Sequence, residues 1–196
     1  MISVKNLELS YGEKRVLRGV NLEILAGSHV ALMGGSGQGK TTLLRVLLGL
    51  AEAQHGTVEL RGRAAVVFQE PRLLPERTAL ENINAVLSDT AETESTALEW
   101  LGKVGLSDAA ALYPSELSGG MQQRVAIARA LAYGGDVLLL DEPLKGLDTA
   151  LHAEMLALLQ RESAGKTLLV ITHDEADAHA LADTVYQLED GKIRIM

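Results

Sequence analysis

Short apolar runs separated by turns predict the strands of this chain. An alternation of period two over residues 2–24, broken by the turn-forming YGEK, predicts an antiparallel pair at the amino terminus. Four further runs are continuously apolar, at residues 30–33, 64–68, 137–140 and 168–171. Continuous runs of this length are typical of parallel strands that are buried on both faces. The pair Asp190-Gly191 predicts a closing hairpin.

Helical spacing fills much of the rest of the chain. The stretch TTLLRVLLGL follows the run at 30–33 after a glycine-rich segment. From Thr78 the spacing is helical, and Thr78 with Glu81 forms a capping box in which each side chain satisfies a backbone donor of the other residue. We therefore predict an α/β fold with a parallel sheet, an amino-terminal antiparallel β region and a helical insertion at about 78–132, all in a single domain over residues 1–196.

Composition narrows the classes of function. The chain has 196 residues, 47% of them hydrophobic, a formal net charge of −8 and no cysteine. The acidic balance argues against nucleic-acid binding by counterion release, and the lack of cysteine excludes thiolate chemistry and Cys-ligated zinc. The apolar runs fall short of the ~20 residues that cross a bilayer, and the amino terminus lacks the pattern of a secretory signal. We expect a cytoplasmic protein.

The segment GGSGQGKT at residues 34–41 fits the phosphate-loop pattern G-x-x-x-x-G-K-[ST]. Its glycines let backbone N–H groups turn toward phosphate oxygens, Lys40 supplies a charge for the β and γ phosphates, and the Thr41 hydroxyl is a hard ligand for Mg²⁺. A flexible glycine turn is the alternative. The predicted strand before the segment and the helix after it favour nucleotide binding.

Two carboxylates follow the run at 137–140. Asp141 comes directly after the predicted strand and is placed to hold a metal directly or through water, which leaves Glu142 to orient an attacking water. An Asp-Glu pair alone is more often a solvated helix start. Its combination with the phosphate loop favours a catalytic role.

The segment LSGGM at residues 117–121 lies at a predicted helix amino terminus, where free N–H groups favour an anion. A glycine-containing helix cap is the simpler interpretation. A second anion-binding helix end is unexpected in a chain that already has a phosphate loop, unless two chains share the nucleotide.

The order of these segments resembles the ATP-binding subunit of an ABC transporter over essentially the whole chain. LSGGM corresponds to the signature motif of that family, in which Gln is commoner than Met121 at the fifth position. The stretch at 67–75, VFQEPRLLP, is similar to importer cassettes for nitrate, sulfonates and taurine. The resemblance implies a P-loop NTPase core and an ATPase that drives transport of a small solute.

The resemblance also implies roles for particular residues, with ATP and Mg²⁺ as cofactors. Implied nucleotide contacts are Tyr11, Gly34, Gly35, Ser36, Gly37, Gln38, Gly39, Lys40, Thr41, Thr42, Ser118, Gly119, Gly120 and Asp148. Implied catalytic residues are Glu142, His173 and Gln69, and implied metal ligands are Thr41, Gln69 and Asp141.

Four of these residues also have structural interpretations. Tyr11 either stacks on adenine or packs on the first hairpin. Gln69 either reaches the metal and the attacking water or is a solvated residue at a strand end. Asp148 is an ordinary N-cap as well as a candidate for the dimer interface, and the two roles are compatible. His173 matches the histidine that contacts the γ-phosphate, although a single His is more often structural.

The implied partners are a second ATP-binding subunit, a transmembrane permease subunit and a solute-binding protein, with no nucleic acid. Each ATP would lie between the phosphate loop of one copy and the signature of the other, which places a homodimer at the cytoplasmic side of the membrane, peripheral through the permease. We expect the segment after Gln69, with Pro71, Leu73, Leu74 and the region near Leu80, to form a groove for a short cytoplasmic helix of the permease; the alternative is that these leucines cap the core of the domain itself. The rival interpretation is a soluble ATPase of the same superfamily in DNA repair or translation, although such proteins usually carry coiled-coil insertions or two cassettes.

Overall fold

The computed structural model describes residues 1–88 and 93–196, which form nine strands and six α-helices. The strands are β1 (Ile2–Tyr11), β2 (Lys14–Ile24), β3 (His29–Met33), β4 (His55–Leu60), β5 (Ala64–Val67), β6 (Val137–Asp141), β7 (Thr167–Ile171), β8 (Thr184–Glu189) and β9 (Lys192–Ile195). The helices are α1 (Lys40–Leu47), α2 (Ala79–Asn84), α3 (Thr93–Lys103), α4 (Gly119–Tyr133), α5 (Thr149–Ser163) and α6 (Glu175–Leu181).

The strands form two sheets. The smaller sheet has the order β2-β1-β4 and is antiparallel, and the larger has the order β5-β6-β7-β3-β8-β9. Its first five strands are parallel, whereas β9 runs antiparallel to β8 across Asp190 and Gly191, which both have positive φ. The predicted α/β class, with an amino-terminal antiparallel region, a parallel sheet and a closing hairpin, is confirmed.

The larger sheet is buried on both faces because two hydrophobic clusters cover it. In β6, Leu138 and Leu140 pack among the helices α2 to α6, while Val137 and Leu139 pack toward α1 and the antiparallel sheet. Successive side chains of a strand point to opposite faces, so a strand with both faces covered needs apolar residues at every position. This requirement explains the continuous apolar runs.

Two of the three α-helices described between β5 and β6, α2 and α4, begin where the sequence predicts. Thr78 and Glu81 make the reciprocal bonds of the capping box at the start of α2, and the Ser118 hydroxyl accepts a bond from the Met121 N–H at the start of α4. Within residues 1–88 and 93–196, no helix combines the length and apolar character needed to span a bilayer.

The strand order determines which loops meet. Because β6, β7 and β3 are neighbours and parallel, their carboxyl ends lie along one edge of the sheet. The glycine-rich loop after β3, the carboxylates at the end of β6 and His173 after β7 therefore converge at the edge where open α/β sheets bind ligands.

Candidate functional site

The glycine-rich loop turns sharply into α1. Gly39 is the N-cap of α1 with φ of 103°, and a Cβ added there would lie 2.7 Å from Cγ1 of Val16 on β2. The left-handed backbone and the close approach of β2 both require glycine at this position. The helix consequently begins with free N–H groups at the floor of the loop, which favours an anion.

The Lys40 side chain folds back over the loop. Its Nζ donates to the carbonyl oxygens of Gly34 at 2.6 Å and Gly35 at 3.0 Å. An ammonium has three donors, so one remains for an acceptor in the cavity that Lys40 lines. The loop thus holds a cation in a fixed place among its own backbone amides.

Thr41 and Asp141 join the loop to the end of β6. The Thr41 hydroxyl donates to Oδ2 of Asp141 at 2.8 Å, and Asp141 is 1% exposed. Burial raises the pKa of the Asp141 carboxyl above its ordinary value, and the charge of Glu142 acts in the same direction. The Thr41 bond and the ammonium groups of Lys40 and Lys145 oppose this increase. A buried carboxylate beside a hydroxyl offers the hard oxygen ligands that Mg²⁺ prefers.

Glu142 and His173 form a second pair at the same edge. Oε2 of Glu142 lies 2.7 Å from Nδ1 of His173, and the Glu142 side chain is only 11% exposed whereas that of His173 is 67% exposed. The Glu142 backbone has φ of 51°, in the left-handed region, and its N–H donates to the Ile171 carbonyl of β7. Strain of this kind at a non-glycine residue concentrates at functional sites.

These groups line one cavity of about 630 Å³. Every residue predicted for the site lines this cavity except Gln38, Ser118, Gly119, Gly120 and Asp148. Gln69 extends into it from the end of β5, and Tyr11, 52% exposed, lines its outer side. This exposure leaves part of the Tyr11 side chain open to a stacking partner.

Three lining residues were missed by the sequence analysis, namely Lys14, Val16 and Lys145. Lys14 and Val16 begin β2 and come near the loop because Lys14 pairs with Tyr11 in the hairpin. Lys145 lies four residues after Asp141. A basic residue just after the carboxylates was an available signal for Lys145, but only pairing of β1 with β2 brings Lys14 to the site.

Gln38 makes a side-chain contact that the sequence did not predict. Its Oε1 accepts a bond from the Asp190 N–H at 3.1 Å, which ties the loop to the turn between β8 and β9. Gln38 belongs to the loop, but its side chain lies outside the lining of the main cavity.

The start of α4 forms a separate exposed surface. Ser118 and Gly119 are exposed, and a Cβ added at Gly120 would lie 3.4 Å from Cδ2 of Leu147, so the loop before α5 lies beside it. Asp148 in that loop is exposed and caps α5 by accepting bonds from two backbone N–H groups. The predicted N-cap role of Asp148 is confirmed. The surface lies outside the cavity that the phosphate loop lines in the same chain.

The loop that follows Gln69 is anchored to α4. The Arg129 guanidinium donates to the carbonyl oxygens of Pro71 at 2.9 Å and Arg72 at 3.0 Å. It also donates to Oδ1 of Asn82, which is 0% exposed. These bonds, two of them partly buried, hold the loop to the helix that begins at Ser118.

The two leucines of this loop differ in exposure. Leu74 is 43% exposed, whereas Leu73 is partly buried and packs against the helical core. Leu73 thus fits the alternative that these leucines cover the core of the domain, and Leu74 presents the larger apolar surface. Both residues lie between the same two prolines, so local sequence cannot distinguish them.

Comparison with known proteins identifies close relatives. Residues 17–145 match the family described as "ABC transporter". The chain is 46% identical to the aliphatic sulfonates import ATP-binding protein SsuB of Corynebacterium glutamicum, over 97% of this chain and 81% of the relative. It is 42% identical to the SsuB protein of Pseudomonas fluorescens, over 98% of this chain and 75% of the relative.

Solved structures share the fold. The dimeric post-hydrolysis structure of the ATP-binding cassette MJ0796, bound to ADP and Pi, matches with a TM-score of 0.92 and 33% identity, over 100% of this chain and 98% of that one. A second dimeric structure of the same cassette matches with a TM-score of 0.93 and 34% identity, with the same coverage.

Proposed function

The chain belongs to the ABC transporter family, and we propose that it is the ATP-hydrolysing subunit of an importer for small organic anions of the aliphatic sulfonate class. The single observation that carries the enzymatic part is the convergence of Lys40, Thr41, Asp141, Glu142 and His173 on one cavity. The solute class is supported by the SsuB relatives, because their similarity extends along nearly the whole of this chain. Those relatives are import proteins, which favours transport over a role in DNA repair or translation.

Each side chain of the cavity has a separate task in ATP hydrolysis. The Lys40 ammonium and the N–H groups of the loop neutralise charge on the β and γ phosphates. Glu142, held in place by His173 and by its own backbone bond, orients a water for in-line attack on the γ-phosphate. The exposed ring of His173 then contacts the γ-phosphate. Tyr11 stacks on the adenine from the outer side.

The site also suits a magnesium ion. Thr41 and Asp141 would hold it, and Gln69 would reach it from the end of β5. Among the described residues, no group of three or more His, Cys, Asp or Glu side chains could hold a metal. An ion bound here would therefore complete its shell with phosphate oxygens and water, as Mg²⁺ commonly does. The ion would supply positive charge that offsets the charge developing on the phosphates.

A second copy completes the proposed site. The exposed Ser118 and Gly119 and the half-buried Gly120 at the start of α4, together with Asp148, lie outside the cavity of their own chain. Both related cassette structures are dimers. We assign this surface to the γ-phosphate bound by the opposite copy, so that ATP joins the two subunits and its hydrolysis releases them.

The importer homologues imply a transmembrane permease partner and a position at the membrane. We place the contact at the loop after Gln69, because Leu74 is exposed there and Arg129 couples the loop to α4. A solute-binding protein outside the membrane would complete the importer. The chain itself would stay on the cytoplasmic side of the membrane, peripheral through the permease.

Leu74→Asp tests the permease contact. We expect the variant to lose co-purification with the membrane subunit while its melting temperature stays close to that of the parent, because Leu74 contributes little to the free fold. Leu73→Asp should instead lower the unfolding free energy by roughly 2 kcal/mol or more, because it places a charge against the core. Leu50→Asp, which alters another half-exposed leucine, is the control. Equal loss of the partner with Leu50→Asp, or a strongly lowered melting temperature with Leu74→Asp, would contradict the assignment.

Asp141→Asn tests the metal ligand and the buried charge together. A pKa that is higher in the folded chain means that the folded chain holds its proton more tightly, so the parent loses stability as pH rises from about 4 toward neutrality. The neutral amide still accepts the Thr41 bond and escapes this loss. We therefore expect urea unfolding of nucleotide-free protein to show that Asp141→Asn gains stability over the parent as pH rises.

The same variant should hydrolyse ATP poorly. The magnesium concentration for half-maximal hydrolysis should rise at least about tenfold, because one charged oxygen ligand is lost. Asp183→Asn, which removes one negative charge from an exposed position, is the control for net charge. Parallel stability curves for parent and Asp141→Asn would show that Asp141 carries no burial penalty, and unchanged magnesium dependence would remove it from the metal site.

Uptake tests the whole proposal. Vesicles that contain the chain with its co-purified membrane subunit, loaded with ATP, should take up a labelled alkanesulfonate supplied with its binding protein, and the solute should stimulate ATP hydrolysis. Hydrolysis stimulated by a different class of solute would overturn the assigned substrate class alone. Absence of any ATP hydrolysis would overturn the enzymatic function.

A further inference from the structure

A side-chain contact joins the first turns of α5 and α6. Nε2 of His152 lies 3.1 Å from Oδ2 of Asp177. The Asp177 side chain is 8% exposed and that of His152 is 32% exposed, so water reaches the imidazole but hardly reaches the carboxylate. A bond with one buried partner is screened less than a surface ion pair.

The two turns belong to different parts of the proposed site. Helix α5 begins directly after Asp148, which caps it, and the His152 N–H donates to the Asp148 carbonyl. Helix α6 begins two residues after His173, and the Asp177 N–H donates to Oδ1 of Asp174, its cap. The contact between His152 and Asp177 therefore connects the turn that follows Asp148 to the turn that follows His173.

His152 is the favourable partner of the Asp177 carboxylate, whereas the neighbours Asp174 and Glu142 are acidic. Burial raises the pKa of the Asp177 carboxyl, the bond and charge of His152 oppose the increase, and the carboxylates of Asp174 and Glu142 add to it. These two acidic neighbours come from different elements. Glu142 lies in the segment after β6, and Asp174 is the cap of α6. On the outer side of α6, Glu175 and His179 face each other at 3.8 Å and are exposed. Within the described residues, Oδ1 of Asp177 is buried without a hydrogen-bond partner.

We propose that His152 is a positioning residue for ATP hydrolysis, whose bond to Asp177 fixes the loop of His173 relative to that of Asp148. The inference rests on the proposed function, which assigns His173 and Asp148 to the two halves of the shared site. A His cation changes charge near neutral pH. A neutral imidazole makes a weaker bond to a carboxylate than an imidazolium does, and it leaves Asp177 without a compensating charge.

Comparison of His152→Arg with the parent tests this proposal, because arginine stays charged throughout. Turnover at saturating ATP and magnesium is measured for the full chain from about pH 6 to about pH 8.5, a range that brackets histidine titration. The ratio of variant to parent turnover should rise about fivefold across the range, the difference between a charged and a neutral hydrogen bond. The ratio removes any effect of pH that the parent and the variant share. Affinity of the free chain for ATP should remain unchanged.

Three further variants separate positioning from general effects. His179→Arg makes the same substitution in the exposed pair of α6, and its ratio should stay flat with pH. Asp177→Asn removes the charge that His152 compensates, so His152→Arg should give no pH-dependent gain in that background. Asp177→Asn alone should also gain turnover relative to the parent as pH rises, and this comparison carries the test where His152→Arg does not fold, as judged by urea unfolding.

The outcomes are distinct. A flat ratio for both His152→Arg and Asp177→Asn in an active enzyme overturns the positioning role and leaves the proposed function standing. A rising ratio for His179→Arg as well would also overturn it, because any added cation would then suffice. A parent chain that does not hydrolyse ATP overturns the proposed function itself.

Discussion

Replacing Glu142 with glutamine should slow ATP hydrolysis by at least ~100-fold while Mg·ATP still binds, because the amide keeps the shape of the side chain but loses the charge that orients the attacking water. The side chain is 11% exposed and pairs with His173, so solvent has little access to the position that the lost carboxylate occupied. With ATP retained between two copies, the variant should elute as a dimer on gel filtration, whereas the parent returns to monomer after hydrolysis.

Glu175→Gln provides the matched control for Glu142→Gln. It removes the same charge from an exposed position on α6 and should leave turnover near that of the parent. Hydrolysis by Glu142→Gln within a few fold of the parent would remove Glu142 from the catalytic role. Elution of the ATP-bound variant as a monomer, at protein and ATP concentrations well above those needed for binding, would count against the shared site.

Replacing Lys40 with alanine should remove most of the affinity of the free chain for ATP. Truncation of one member of a buried charge pair typically costs about 2 kcal/mol or more, which is a loss of at least about 30-fold. The loop also loses the bonds that Lys40 makes to the carbonyl oxygens of Gly34 and Gly35. Binding of a fluorescent ATP analogue to the isolated chain measures the effect directly.

Two controls interpret the Lys40 result. Lys192→Ala removes the same charge from exposed β9 and should leave ATP affinity unchanged. Lys145→Ala removes the exposed ammonium that also lines the cavity, and its effect should be smaller because Lys145 is not held by the loop. ATP affinity of Lys40→Ala within twofold of the parent would show that the glycine-rich loop does not bind phosphate.

Local sequence patterns predicted much of the fold because strand burial and helix capping depend on residues that are close together in the sequence. The continuous apolar runs correspond to strands covered on both faces, and the caps at Thr78, Ser118 and Asp148 are set by side chains within three residues of the bonds they make. The phosphate loop and the carboxylates after β6 could be placed together because the carboxyl ends of parallel strands share an edge.

Contacts between distant segments could not be predicted in this way. The bonds of Arg129 to the loop after Gln69 span more than 50 residues, and His152 reaches Asp177 across 25. Neither pair leaves a periodic signal, because each partner alone is an ordinary polar residue of a helix. The different burial of Leu73 and Leu74 likewise depends on how the loop packs.

The left-handed backbone of Glu142 sets stability against activity at a single position. A non-glycine residue in this conformation costs about 1 kcal/mol or more, whereas glycine adopts it freely. Under the proposed role of Glu142, screens for heat-resistant variants would therefore tend to recover glycine there and would select inactive enzymes that fold normally. Engineering of this cassette for durability would then have to hold residue 142 fixed and seek its gains elsewhere.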